Sequence, residues 1–170
     1  MPDKIALEFE ALVVDDEPDI RELLSEYLRV RGLTTATAKD GRAAVAALER
    51  SAGRYGLVLT DINMPGADGF EVLRAARAVN ASAYVVIITG YASLDSAIQA
   101  VQLGAHDYIT KPFSLGQIDI ILNKISDRVA LERENRELTS RVPASSVSSL
   151  QGHLAAIERR LARIESLLTS

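Results

Sequence analysis

The chain contains no cysteine and no tryptophan, and aromatic residues fill only 5% of its 170 positions. Without cysteine there are no disulfides and no thiolate-held metals, which fits a reducing compartment. No apolar run approaches the roughly 18 residues that a bilayer-spanning helix needs. The N-terminus lacks the long apolar core of a secretion signal. A cytoplasmic protein with no membrane partner is therefore expected. A basic surplus is missing too. The net charge is −4, with −5 on residues 1–125 and +1 on residues 126–170. Neither part has the positive excess that accompanies nucleic-acid binding, so no nucleic-acid partner is expected.

What is present is an alternation of short apolar runs and amphipathic stretches. Hydrophobic residues make up 48% and charged residues 25%, which suits one domain of roughly 100–150 residues and an appendage. Residues 11–15 read as a strand. Residues 18–31 read as a helix with Ile20, Leu23, Leu24, Tyr27 and Leu28 on one face. Pro18 suits its first turn and Gly32 its stop. A weaker strand spans 33–38, starting at Leu33. Asp40 caps a helix through about Arg50. Strand 56–60 follows, then a loop from Asp61 to Asp68 and a helix to about Ala78. Strand 84–88, helix 93–103, strand 107–110 and a helix from Ser114 complete the series. Val85-Val86-Ile87-Ile88 is apolar throughout, the mark of a strand buried on both faces of a parallel sheet. The fold class expected is α/β: a doubly wound, five-stranded, flavodoxin-like parallel sheet of order 2-1-3-4-5. Ligands bind such sheets at the switch point between strands 1 and 3.

The organisation expected is a lead over residues 1–10, the sheet domain over 11–125 and an extension of the fifth helix over 126–139. A linker or break covers 140–149, which holds five serines and Pro143. A coiled-coil helix spans 150–168. There Leu150, Leu154, Ile157, Leu161, Ile164 and Leu168 recur at spacings of 4, 3, 4, 3 and 4, an a/d heptad pattern that favours a homodimer, the alternative being packing within one chain. Ile5, Leu7 and Phe9 alternate in the lead, which reads either as an extension of the first strand or as a loose arm.

Four apolar runs end at a reactive side chain. Leu12-Val13-Val14 runs into Asp15 and Asp16, and Leu57 to Thr60 into Asp61. Tyr84 to Ile88 runs into Thr89, and Tyr108-Ile109-Thr110 into Lys111. In a parallel sheet all four ends share one edge. Clustered carboxylates repel unless a cation neutralises them, and an all-oxygen site favours Mg²⁺. Lys111 offers a point charge for a phosphoryl oxygen, and the Thr89 hydroxyl could donate to one. The plainer readings are helix caps for the Asp and Thr residues and an ordinary ion pair for Lys111.

These residues fall in four separated motifs. They are Val13-Val14-Asp15-Asp16-Glu17-Pro18, Thr60 through Gly69, Thr89-Gly90, and Asp107-Tyr108-Ile109-Thr110-Lys111-Pro112-Phe113. In order and spacing they resemble the receiver domain of two-component response regulators, over about residues 11–125. The resemblance implies that Asp61 is the phosphoacceptor. It implies Mg²⁺ held by Asp15, Asp16, Asp61 and the backbone carbonyl of Asn63, with Lys111 and Thr89 on the phosphoryl group. Thr89 and Tyr108 would be the switch pair, and the bond before Pro112 would be cis. The donor implied is a phosphohistidine on a sensor histidine kinase or phosphotransfer protein. The protein would catalyse only its own phosphorylation and dephosphorylation, and so is not expected to be an enzyme in the usual sense.

Residues 126–170 show no helix-turn-helix core and no glycine-rich phosphate loop. The output expected is therefore contact with a downstream protein partner, with dimerisation through the C-terminal helices. The alternative is a transcription regulator whose tail, with Arg159, Arg160 and Arg163, contacts DNA. A third reading, a phosphatase with an Asp nucleophile, wants a second Asp two residues on, where this chain has Asn63. His106 reads as a surface residue, and neither it nor His153 looks catalytic.

Overall fold

The computed structural model describes residues 7–141. The chain divides into two units, residues 1–127 and 128–170. In the first, strand and helix alternate: β1 (Glu10–Val14), α1 (Pro18–Val30), β2 (Thr35–Ala38), α2 (Gly41–Arg50), β3 (Tyr55–Thr60), α3 (Gly69–Val79), β4 (Tyr84–Thr89), α4 (Leu94–Gln102) and β5 (Asp107–Thr110). Among the described residues the last helix is α5, Leu115–Arg141. The sheet order is β2-β1-β3-β4-β5, all parallel, as the sequence predicts. Among the described residues no helix is long and apolar enough to cross a membrane.

The apolar runs explain the layering. Every residue of β3 is buried, and β1 and β4 are buried after their first residue. Such strands need cover on both faces, and the crossover helices supply it. The edge strands β2 and β5 carry Thr, Asp and Tyr and stay partly accessible. Side chains start the helices where backbone N–H groups lack partners. Asp40 accepts the Ala43 N–H at 2.8 Å. Asp68 and Glu71 form a capping box on α3, and Ser93 and Ser96 form one on α4.

The second strand begins two residues later than Leu33. Gly32 adopts φ +98°, a conformation open to glycine. Its N–H reaches the Arg29 carbonyl, and the Leu33 N–H reaches the Leu28 carbonyl at 3.0 Å. This paired closure ends α1 and buries Leu33 near Leu28. Leu33 therefore completes a helix stop and has no N–H left for the sheet.

Buried Arg31, at the end of α1, grips the first turns of α5. Its Nη1 lies 2.8 Å from Asp119 Oδ1, and its Nη2 donates to Asn123 Oδ1 at 2.9 Å. Burial, then a hydrogen bond to Asp119, pushes the Tyr27 hydroxyl pKa up. In the lead, Phe9 packs 6.1 Å from the Tyr84 ring, and His106 stands edge-on to Tyr84 at 5.0 Å. A Cβ on Gly56 would collide with the Phe9 ring.

In the second unit, Arg128 pairs with Glu132 one turn on, at 3.1 Å. Ser140 and Arg141 are helical, so the stretch read as a linker starts inside α5. Neither residue forbids a helix, and Pro143 is the first that does. The rest of that stretch, the coiled-coil segment 150–168 and residues 1–6 lie outside the described residues.

Candidate functional site

The sheet register assembles the site. Val14 pairs with Thr60, so Asp15 and Asp61 leave adjacent strands side by side. The Asp61 N–H donates to the Val14 carbonyl at 3.0 Å. Thr89 pairs with Thr110, which brings Lys111 to the same edge. The Lys111 N–H donates to the Thr89 carbonyl at 2.8 Å. The Lys111–Pro112 bond is cis, as the resemblance implied.

Carboxylate oxygens of Asp15, Asp16 and Asp61 lie within 4.8 Å of one another. Asp15 and Asp61 are buried, and Asp16 is exposed. The Lys111 ammonium joins them, 2.9 Å from Asp15 Oδ2 and 3.0 Å from Asp61 Oδ2. It also sits 2.7 Å from Glu17 Oε1. The other oxygens are held by backbone. Asp15 Oδ1 accepts the Glu17 N–H at 3.0 Å, and Asp61 Oδ1 accepts the Asn63 N–H at 3.2 Å. Arg21 Nη1 donates to the Asp15 carbonyl at 2.7 Å. An open groove of about 920 Å³ over the cluster is lined by Asp16, Glu17, Asp61, Asn63, Tyr91 and Ser93.

Electrostatics follow from burial and pairing. Burial raises the Asp15 carboxyl pKa, and the hydrogen bonds from Lys111 and the Glu17 N–H offset only part of that. The Asp61 charge adds to the rise. For Lys111, burial works to lower the pKa, but hydrogen bonds to Glu17, Asp15 and Asp61 outweigh it. The result lies above the ordinary lysine range, so the ammonium stays charged at neutral pH. An all-oxygen cluster with excess negative charge, part of it buried, has the donor set of a hard divalent cation.

The cap reading fails for Asp61 and Thr89. Asp68 caps α3 and Ser93 caps α4, so neither Asp61 nor Thr89 does. Thr89 is fully buried, and its Oγ1 accepts the Tyr91 N–H at 3.2 Å. Half-buried Tyr108 directs its hydroxyl to Ser96 Oγ on α4, at 2.8 Å. Sequence reasoning assigned no role to Glu17, Arg21 or Ser96. Glu17 stands within a quoted motif, but its contact with Lys111 spans 94 positions and leaves no local pattern.

The family model of the response regulator receiver domain matches residues 11–123. This chain belongs to that family. The regulatory protein AtoC of Escherichia coli (strain K12) is 34% identical over 144 residues, covering 84% of this chain and 30% of AtoC. The nitrogen assimilation regulatory protein NtrX of Azorhizobium caulinodans is 36% identical over 129 residues, covering 75% of this chain and 28% of NtrX. The chain thus spans about a third of the length of the curated relatives it matches first. Among solved structures, a CheY-like receiver domain protein from Methanospirillum hungatei JF-1 superposes with TM-score 0.68 at 26% identity. It covers 74% of this chain and 99% of that one. Another receiver domain, from Clostridium thermocellum, gives TM-score 0.66 at 29% identity, covering 72% and 98%. Several relatives are named as transcriptional regulatory proteins, so the expectation of no nucleic-acid partner has no support from them. The family normally binds Mg²⁺ in its acidic pocket, and this receiver carries the aspartate cluster for it.

Proposed function

We propose that this receiver accepts a phosphoryl group on Asp61 from a phosphohistidine of a sensor histidine kinase or phosphotransfer protein. The observation that carries this is the setting of the Asp61 carboxylate. It is buried at the foot of an open groove, with the Lys111 ammonium on one oxygen and the Asn63 N–H on the other. Phosphoryl transfer asks mainly for alignment and charge neutralisation. An Asp61 oxygen attacks phosphorus as the bond from phosphorus to the donor's imidazole nitrogen breaks. The imidazole leaves with that electron pair, and an acyl phosphate remains on Asp61. Lys111 holds one phosphoryl oxygen, and Thr89 turns its hydroxyl to another. Asp15, Asp16, Asp61 and the Asn63 carbonyl would hold Mg²⁺, which supplies further neutralising charge. No other substrate is turned over in this reading.

The change then reaches β5 and α4. A Thr89 hydroxyl engaged by phosphate vacates space behind it, Tyr108 turns inward, and its bond to Ser96 is given up. Two packings of this face separated by a few kcal/mol suffice for a switch.

The test uses Mg²⁺, a small acyl-phosphate donor and the intact-protein mass. A gain of one phosphoryl group is expected, lost when a chelator removes the metal. No gain under conditions that label another receiver would sink the proposal.

The output we propose is contact with a downstream protein, with dimerisation through the heptads of 150–168 in a cytoplasmic setting. Light scattering on the full chain and on residues 1–140 tests it. A dimer is expected only for the full chain, and two monomers would rule it out. The relatives' names favour a second reading, control of transcription. Salt-sensitive retardation of duplex DNA would support it, and its absence would count against it.

A further inference from the structure

An ammonium group has three N–H donors, and at Lys111 all three are taken. Glu17 Oε1 lies at 2.7 Å, Asp15 Oδ2 at 2.9 Å and Asp61 Oδ2 at 3.0 Å. A phosphoryl oxygen arriving on Asp61 needs one of these donors, so one carboxylate must let go. The three differ in what release costs. The side chains of Asp15 and Asp61 are 2% and 8% exposed. Stripping Lys111 from Asp15 leaves a buried anion without its cation, which is expensive. The Glu17 side chain is 60% exposed, so water replaces its partner at little cost.

The geometry points to Glu17 as a competing anion that occupies, in the resting protein, the Lys111 donor that the phosphoryl group will use. This rests on the phosphoacceptor reading of Asp61 and adds a positioning residue to it. Glu17 acts through Lys111. It holds the ammonium at the mouth of the site, and its release sets how readily Lys111 turns to phosphate. Glu17 is also the residue before α1, where its side chain makes no capping bond. Replacing it therefore leaves the helix start intact.

The test compares wild type with Glu17→Gln, Glu17→Asp and Glu22→Gln, labelled by a small acyl phosphate at saturating Mg²⁺. Glu22 is exposed on the same helix and lies outside the three ion pairs of Lys111. Glu17→Gln is expected to label about two- to fivefold faster, the scale of an exposed ion pair. Glu17→Asp restores the charge and should fall back toward wild type. Glu22→Gln makes the same charge change without the contact and should stay at the wild-type rate. Raising ionic strength screens the exposed Glu17–Lys111 pair, so the gap between wild type and Glu17→Gln should narrow.

Equal or slower labelling of Glu17→Gln beside a normally labelled wild type overturns the role of Glu17 and leaves the acceptor reading standing. An equal gain in Glu22→Gln also overturns it, because general charge then explains the rate. A wild type that takes no label overturns both.

Discussion

Asp61→Asn is expected to give a folded protein that takes no phosphoryl group. The amide oxygen still accepts the Asn63 N–H, and the amide NH2 that then faces Lys111 leaves that ammonium to Asp15 and Glu17. The neutral amide is not a nucleophile toward phosphorus, and labelling should drop on the order of 10⁴-fold or more, the scale of losing a reacting group. The effect on stability runs the other way. Asp61 is buried beside Asp15, and its charge helps to raise the Asp15 pKa. Removing that charge relieves a like-charge contact, so the thermal midpoint should hold or rise. Intact mass and a melting curve on one sample separate the two effects. Labelling of Asp61→Asn at the wild-type rate would place the acceptor elsewhere.

Lys111→Met should damage both stability and phosphoryl capture. The variant keeps an unbranched stem but loses the ammonium that faces Asp15 and Asp61. Two buried carboxylates are left opposed, and removing one partner of a buried pair costs about 3–5 kcal/mol. The pH dependence has a definite sign. Asp15 already titrates above the ordinary carboxylate value, and without Lys111 it moves higher. A group with a raised folded-state pKa adds stability below its unfolded value and loses it as pH rises through the folded value. The variant should therefore gain stability as the pH falls from neutral toward the ordinary carboxylate value of about 4. In wild type the Lys111 pKa is itself raised, so its contribution persists through neutral pH and fades only above the ordinary lysine range. Added Mg²⁺ should restore part of the loss by taking over the neutralisation. Urea unfolding across that pH range, with and without Mg²⁺, measures all of this. A variant as stable as wild type near neutral pH would show that the carboxylates need no cation.

Much of this was legible in the residues alone. The strand order followed from apolar runs in alternation with amphipathic stretches. The cluster followed from placing the ends of four runs on one edge. Both signals are local or periodic, so a sequence carries them openly. The start of β2 was misplaced because the Leu33 N–H serves the end of α1, and apolar character alone does not separate a helix stop from a strand. Glu17 beside Lys111, Arg31 beneath Asp119 and Asn123, and Ser96 against Tyr108 were not foreseen. Each is a pairing between separate elements, decided by which rotamers meet after the helices have packed. Arg31 also defies its residue type, since arginine at a helix end is ordinarily left in water.

Phe9 sits two residues before the stretch that matches the family, yet its ring occupies the space that a side chain at position 56 would fill. Residue 56 is glycine, so ring and gap are two halves of one fit. A boundary drawn at residue 11 from sequence similarity would cut through this fit and uncover the backbone of β3 at its start. The edge of the shared pattern and the edge of the packed body are different places in this protein, and a shortened version has to respect the second.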